Sequence, residues 1–485
     1  MKTIVAKLYR KKGLRSLVYP AAFMLLGLGE GCMVVGPDYI SPATDDAVPS
    51  AWMAENINMT DTNPPALAQW WTQLGDPVLD TLIETALAGN LDLEQARSRV
   101  REARAQRGIE TSARFPTLAG SGSATAVKEG SKPSGELYVT GFDAAWEIDL
   151  FGRVTRRIEA ATADAQATVE AQRAVRVSLL AELALNYIEY RAYEKRVEIA
   201  RSNVETLQQT LTIVRVRNDS GLADALQLAQ AESNLATEQS RLPPLETGHD
   251  RSAYRLAVLV GQRPGTLSEL LATQQPVPAP PPQVAVGIPA DLLRRRPDLR
   301  RAERELAAQS ARVGVATADL YPRFSLNGNL QFGAADVANL FDDASRSVGI
   351  GPTFSWNIFS AGSVRNNIRV QDERQVQALL HYEQTVLLAL EETENAMVAH
   401  ARGQERRRTL AEAVAAAQRA ADLAESLYLD GLKDFLNVLD TQRVLFTAED
   451  QLVLSNAEVA ADLVRLYKAL GGGWSEPAGT LNEIE

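Results

Sequence analysis

Two apolar series run along the stretch from residue 432 to residue 470. Positions 435, 438, 442, 445, 449, 452, 456, 459, 463, 466 and 470 are apolar in eight of eleven cases, with the alternating three-four spacing of a coiled-coil seam. A second series at 432, 436, 439, 443, 446, 450, 453, 457, 460, 464 and 467 is apolar in nine of eleven. Two seams predict a helix with a neighbour on each side. Between them lies a mostly polar stripe, Asp434, Asn437, Asp440 or Thr441, Val444, Gln451, Ser455, Glu458, Asp462 and Arg465, which is expected to face water. Such a helix is a stave in a closed wall.

Elsewhere the period changes. Phe324, Leu326, Leu330 and Phe332, and again Val348, Ile350, Phe354, Trp356 and Ile358, alternate with small or polar residues, the period of two of strands with one apolar face. From Arg153 to about Arg217, and from Ser363 to about Leu429, there is no proline and one interior glycine, Gly403. A helix of some 65 residues is about 100 Å long, longer than an ordinary domain is wide. Each such run stops at a glycine, Gly221 or Gly431, where a return helix begins, and each glycine is read as a hairpin turn.

The chain is an internal duplication. A shift of 206 residues places Asp92, Leu93, Ala96, Ala105, Gly108, Thr111, Pro116 and Gly122 on Asp298, Leu299, Ala302, Ala311, Gly314, Thr317, Pro322 and Gly328. A shift of 210 places Trp146, Val154, Ile158, Gly221, Asp224 and Leu226 on Trp356, Val364, Ile368, Gly431, Asp434 and Leu436. Residues 78–290 form the first repeat and 291–470 the second, each a helix (78–114, 291–320), two strands and a long helical hairpin, with an equatorial connection closing the first; 471–485 is a tail. Four strands cannot close a transmembrane barrel, because open edges leave backbone groups unsatisfied in lipid and barrels start at about eight strands. Several chains must share one. Trp146 and Trp356, at corresponding strand ends, are read as interfacial belt residues, with plain packing as the alternative.

The N-terminus changes the picture of location. Lys2, Lys7, Arg10, Lys11, Lys12 and Arg15 precede a short apolar run from Leu17 to Leu28, too short to span a bilayer, so residues 1–31 read as an export signal. Cys32, the one cysteine, then stands as a lipidation site at the head of segment 32–77, the alternative being an unpaired cysteine behind another cleavage site. Loss of residues 1–31 takes away six positive charges and one negative one, moving the net charge from -11 to -16, which argues against a nucleic-acid partner. His249, His381 and His400 lack metal-ligand spacing, and no nucleophile-base pair stands out, so neither a metal, a cofactor nor an enzyme is expected. Arg294-Arg295-Arg296 before Pro297-Asp298 reads as a solvated helix start, and Gly471-Gly472-Gly473 as a helix stop.

Five motifs in order carry a resemblance: Gly36-Pro37-Asp38-Tyr39 after Cys32; Trp70-Trp71 with Asp76-Pro77, Ala86-Leu87 and Asn90; Ala257-Val258-Leu259-Val260-Gly261 with Pro264-Gly265; Leu292 to Asp298 with Ala302-Glu303; and Lys468 to Trp474. The chain resembles the TolC-like outer membrane efflux proteins, in the lipoprotein branch that serves RND-type multidrug pumps. The resemblance implies a mainly α protein with a transmembrane β part. Three chains would form a homotrimer with one 12-stranded outer membrane β-barrel continuous with a periplasmic 12-helix α-barrel. It implies a lipid-anchored outer membrane channel for small molecules, with a periplasmic adaptor, an inner membrane RND-type transporter and outer membrane lipids as partners. It further implies a periplasmic gate beyond Gly431, with Asn437 and Asp440 at constriction sites, Tyr428 and Lys433 as linking residues, and Asp434, Asp224, Gln227 and Gln230 around them. Asn437 stands where some relatives carry aspartate. The plainer reading of the stripe is a solvated helix face. An exit duct for type I protein secretion and a periplasmic adaptor or scaffold are the rival functions; two hairpins and two strand pairs favour the channel over the adaptor.

Overall fold

The computed structural model describes residues 33–42, 49, 51–53, 59, 60, 67–128, 130, 131, 134–281, 284, 285 and 289–475. The export signal and Cys32 lie outside the described residues. The main elements are α1 (Pro77–Gly89), α2 (Leu91–Ser112), β1 (Thr117–Val127), β2 (Gly135–Ile148), α3 (Arg153–Asp219), α4 (Ala225–Gln239), α5 (Leu242–Leu259), α6 (Ala290–Arg295), α7 (Pro297–Ala318), β3 (Arg323–Ala334), β4 (Arg346–Ser355), α8 (Ser363–Leu429) and α9 (Phe435–Ala469). Both α3 and α8 run unbroken for 67 residues. Two compact units result, one from residues up to Val48 with Ser98–Glu170 and Leu299–Thr385, the other from Pro49–Arg97, Ala171–Asp298 and Val386–Glu485. Each unit takes parts of both sequence repeats.

The first unit holds one antiparallel sheet in the order β1-β2-β3-β4, so the hairpins of the two repeats pair side by side through β2 and β3. Register decides the faces, because opposed residues of an antiparallel pair share a side. Leu118, Phe142, Trp146, Leu326, Leu330, Val348, Ile350 and Phe354 fall on one face. Thr117, Ser121, Ser123, Ser325, Asn327, Asn329, Gln331 and Thr353 fall on the other. Leu118, Val348 and Ile350 are 72%, 69% and 79% exposed, so the described residues leave much of the apolar face bare. Trp356 and Ile358, expected in the last strand, lie beyond its end at Ser355. The indole N–H of Trp356 donates to Leu320 O at 3.1 Å and that of Trp146 to Arg114 O at 3.0 Å, the same bond in both repeats, tying each strand end to the preceding helix.

The N-terminal strap also belongs to this unit. Val35 N donates to Phe151 O, and the buried Arg156 guanidinium donates to Val35 O and Asp38, the latter at 2.7 Å. A Cβ on Gly36 would run into Gly314 Cα. Tyr39 packs on the small helix face of Ala163, Ala307 and Ala308, and its hydroxyl donates to Glu303.

In the second unit the single helices expected at 78–114 and 291–320 are broken. Asn90 is extended; its side chain donates to Leu259 O at 2.9 Å and accepts from Leu93 N, so it ends α1 and caps α2. In the second repeat the break is at Arg296, extended because a proline follows. Asn90 and Arg296 are 206 residues apart, so the breaks coincide in the duplication. Arg296 is 8% exposed rather than solvated: its guanidinium pairs with Asp298 and Glu392 and donates to Ala469 O at 2.9 Å. Residues after α9 are docked, with Gly473 N donating to Leu67 O, the Trp474 indole to Arg295 O and Arg173 lying 4.4 Å from the Trp474 ring. Trp70, 1% exposed, stacks on Tyr467 with ring centroids 5.5 Å apart.

Candidate functional site: the paired hairpin ends

The two helical hairpins end alike. Gly221 (φ 71°) and Gly431 (φ 74°) adopt the left-handed conformation in which a side chain is strained. Leu222 N donates to Arg217 O and Gly221 N to Asn218 O; Leu432 N donates to Leu427 O and Gly431 N to Tyr428 O. This is a Schellman stop, which satisfies the last carbonyls of α3 and α8 before the chain reverses. Asp224 and Asp434 then occupy the N-cap positions of α4 and α9. Asp224 accepts from Gln227 N at 2.8 Å, whereas Asp434 makes no side-chain cap bond and remains exposed.

Behind the turns the ends of α3 and α8 and the starts of α4 and α9 share one apolar cluster that includes Leu211, Val214, Ala231, Ala421, Phe435, Val438 and Leu439. On α9 it takes Phe435 and Val438 from the first apolar series and Leu439 from the second. The second series is bare only at its start, where Leu432 and Leu436 are 69% and 64% exposed. The polar stripe is uncovered at Asp434, Asn437 and Asp440 but not along its length: Ser455 and Asp462 are buried, the latter close to Gly403 and paired with Arg465. Glycine at 403 lets α8 approach α9 there, which brings Asp462 into contact.

The structure brings Tyr428 and Gln227 together, hydroxyl to Oε1 at 3.5 Å, and packs the Tyr428 ring on Phe435 at 5.3 Å. The cation on that ring is Arg217, 4.8 Å from its centroid, with Nη1 reaching Leu429 O at 3.5 Å. Lys433, the linking cation that the resemblance implies, is exposed beside the turn. Arg217 had no distinguishing signal, since its repeat counterpart is Leu427 and it sits among other charged residues. Its position has a physical logic: the C-terminal ends of two long helices lie side by side, each with partial negative charge, and one guanidinium serves both. Burial raises the Tyr428 pKa above its ordinary value and the Arg217 charge opposes that rise, so the hydroxyl stays protonated. Asn437 turns back to Asp434 O, Gln230 is half-buried on α4, and Asp440 bridges Arg443 at 2.6 Å with both side chains exposed. The carboxylate stripe is therefore partly met by cations of its own helix, in a geometry worth about 0.3–0.5 kcal/mol.

Comparison with known proteins extends this picture. A model of the family described as "Outer membrane efflux protein" matches residues 82–262 and 288–472. The chain is 31% identical over 465 residues to the pyoverdine export outer membrane protein OpmQ of Pseudomonas aeruginosa, covering 93% of this chain and 97% of the relative. It is 31% identical over 469 residues to the toluene efflux pump outer membrane protein TtgI of Pseudomonas putida, with 93% and 97% covered. Among solved structures it is similar to the outer-membrane channel OprN, with a TM-score of 0.84, 37% identity and 91% and 99% of the two chains covered.

Proposed function

Since the chain belongs to the outer membrane efflux protein family, we propose that it is the outer membrane channel of a tripartite efflux system, passing small molecules from a periplasmic adaptor and an inner membrane RND-type transporter to the exterior. It is a passive conduit located in the outer membrane. The observation that carries the reading is the sheet, with one bare apolar face and two outer strands, β1 and β4, that have no strand neighbour on their far sides among the described residues. In lipid such edges must be paired. Four alternating strands put β1 and β4 in opposite directions, so β4 of one copy meets β1 of the next in antiparallel sense. Three copies then give twelve strands and twelve helical staves.

The paired hairpin ends form the periplasmic gate in this reading. Gly221 and Gly431 make the turns. Asp434, Asn437 and Asp440, with Asp224, Gln227 and Gln230, surround the entrance, and Tyr428 with Arg217 ties the two hairpins of a chain. Lys433 stands at the rim. Cys32 is the lipid anchor, and the strap at residues 33–42 fixes the chain that follows it.

Outer membranes should yield the protein as a heat-modifiable oligomer whose detergent-corrected mass is three times that of the mature chain, which without residues 1–31 is lighter than the 52.7 kDa of the full sequence. A monomer soluble without detergent would end the proposal. Replacing Asp434 and Asp440 together by alanine is expected to raise single-channel conductance and weaken cation preference in planar bilayers, because acidic rings at a constriction favour cations. Conductance and ion preference equal to those of the parent protein would remove these residues from the gate.

A further inference from the structure

We propose that Asp143 sets the ion preference of the β-sheet section of the conduit; this rests on the channel reading above. Register places Asp143 on the polar face of the sheet, opposite Ala119 on β1 and Asn329 on β3. Apart from its charged groups that face carries mainly hydroxyl, amide and small side chains, with Leu137 and Val139 as apolar exceptions toward the start of β2. It carries three charged residues along the four strands: Asp143, Glu147 and Arg323.

Two of the three are cancelled. Glu147 receives both Nε and Nη2 of Arg153, at 3.0 and 2.6 Å, and Arg323 is bridged to Asp319 at 2.6 Å. Asp143 is exposed, its strand neighbours are neutral, and it makes no ion pair among the described residues. It stands five residues from the end of β2 at Ile148, about 17 Å along the strand, well inside the sheet. The apolar face turns to lipid, so the polar face lines water. A lone carboxylate there repeats once per copy around the axis, in a section whose other groups offer dipoles but no net charge. Small cations accumulate at such a ring and chloride is repelled. The chemical class that feels it is the charged solute; neutral amphiphiles pass the same lining without this term.

The test separates this ring from the entrance. Full-length Asp440→Ala channels, with and without Asp143→Asn, are compared by reversal potential in a KCl gradient. At about 0.1 M salt, where charge acts over about 10 Å, Asp143→Asn is expected to halve the potassium-to-chloride permeability ratio, roughly. At about 1 M, where the range is about 3 Å, the difference should vanish. Asp143→Glu, which keeps the charge, should keep the parent ratio. An unchanged ratio at low salt, or an equal change at both salts, overturns the assignment. If none of these proteins forms channels, the conduit reading itself fails instead.

Discussion

Replacing Arg217 by alanine should raise the ratio of open to closed hairpin ends by about ten- to a hundredfold for each chain of the channel. The guanidinium lies on the Tyr428 ring and at the last carbonyl of α8 while sitting in the last turn of α3. A cation over an aromatic face contributes about 0.5–2 kcal/mol, and a cation at a helix C-terminus about 0.3–1 kcal/mol for each helix it serves. Together these span about 1–4 kcal/mol per chain, with the middle near 2 kcal/mol, and each 1.4 kcal/mol is tenfold in a population ratio. No carboxylate among the described residues pairs with Arg217, so the latch should hold better than a surface ion pair as salt rises. Open probability in planar bilayers reads the effect directly. Arg217→Lys, which keeps the charge but not the planar stacking group, should fall between the parent and the alanine variant. Equal open probability in all three would mean that the hairpins are held by the apolar cluster alone.

Trp70→Ala should be the most damaging single truncation in the second unit, at about 3–5 kcal/mol. Trp70 is stacked on Tyr467 and edge-on to Trp71 with centroids 6.0 Å apart, and the Tyr467 hydroxyl donates to Gln73. The indole also lies under the glycine run after α9: a Cβ on Gly472 would come 3.0 Å from its Cδ1. One side chain thus joins the segment before α1, the end of α9 and the tail. The melting midpoint of the detergent-solubilised protein should fall sharply, and Trp70→Tyr, which keeps an aromatic face for Tyr467, should recover part of it. A midpoint unmoved by alanine would show that this junction does not hold the unit together.

Much of this architecture was legible in residue order, because its signals are local or repeated. A proline-free run, a lone glycine and a change of period each constrain the backbone within a few residues, and the duplication states each constraint twice. Gly221, Gly431, the alternating strands as far as Ser355 and the apolar series at Phe435, Val438 and Leu445 fall where those signals put them. The break at Asn90 was hidden because asparagine caps a helix only when its side chain finds partners, and one of these is Leu259 O, 169 residues away. Arg296 looked solvated because an arginine run usually is, yet besides its neighbour Asp298, Glu392 and Ala469 O reach it from distant parts of the sequence. Ser455 and Asp462 sit on the stripe by spacing, but the missing side chain at Gly403 draws α8 onto that stretch. Arg217 is the same lesson at the hairpin ends, since its partners lie more than 200 residues further on.

The strict alternation of β1 through β4 bears on how such a wall could come apart and be rebuilt. Cut between its repeats, each half would still end in two strands of opposite polarity, as the whole does. Six half-length polypeptides would therefore satisfy the same backbone hydrogen bonds as three full-length ones. Backbone pairing is indifferent to stoichiometry, and the number of subunits in the ring must be settled by how the helical staves wedge against one another.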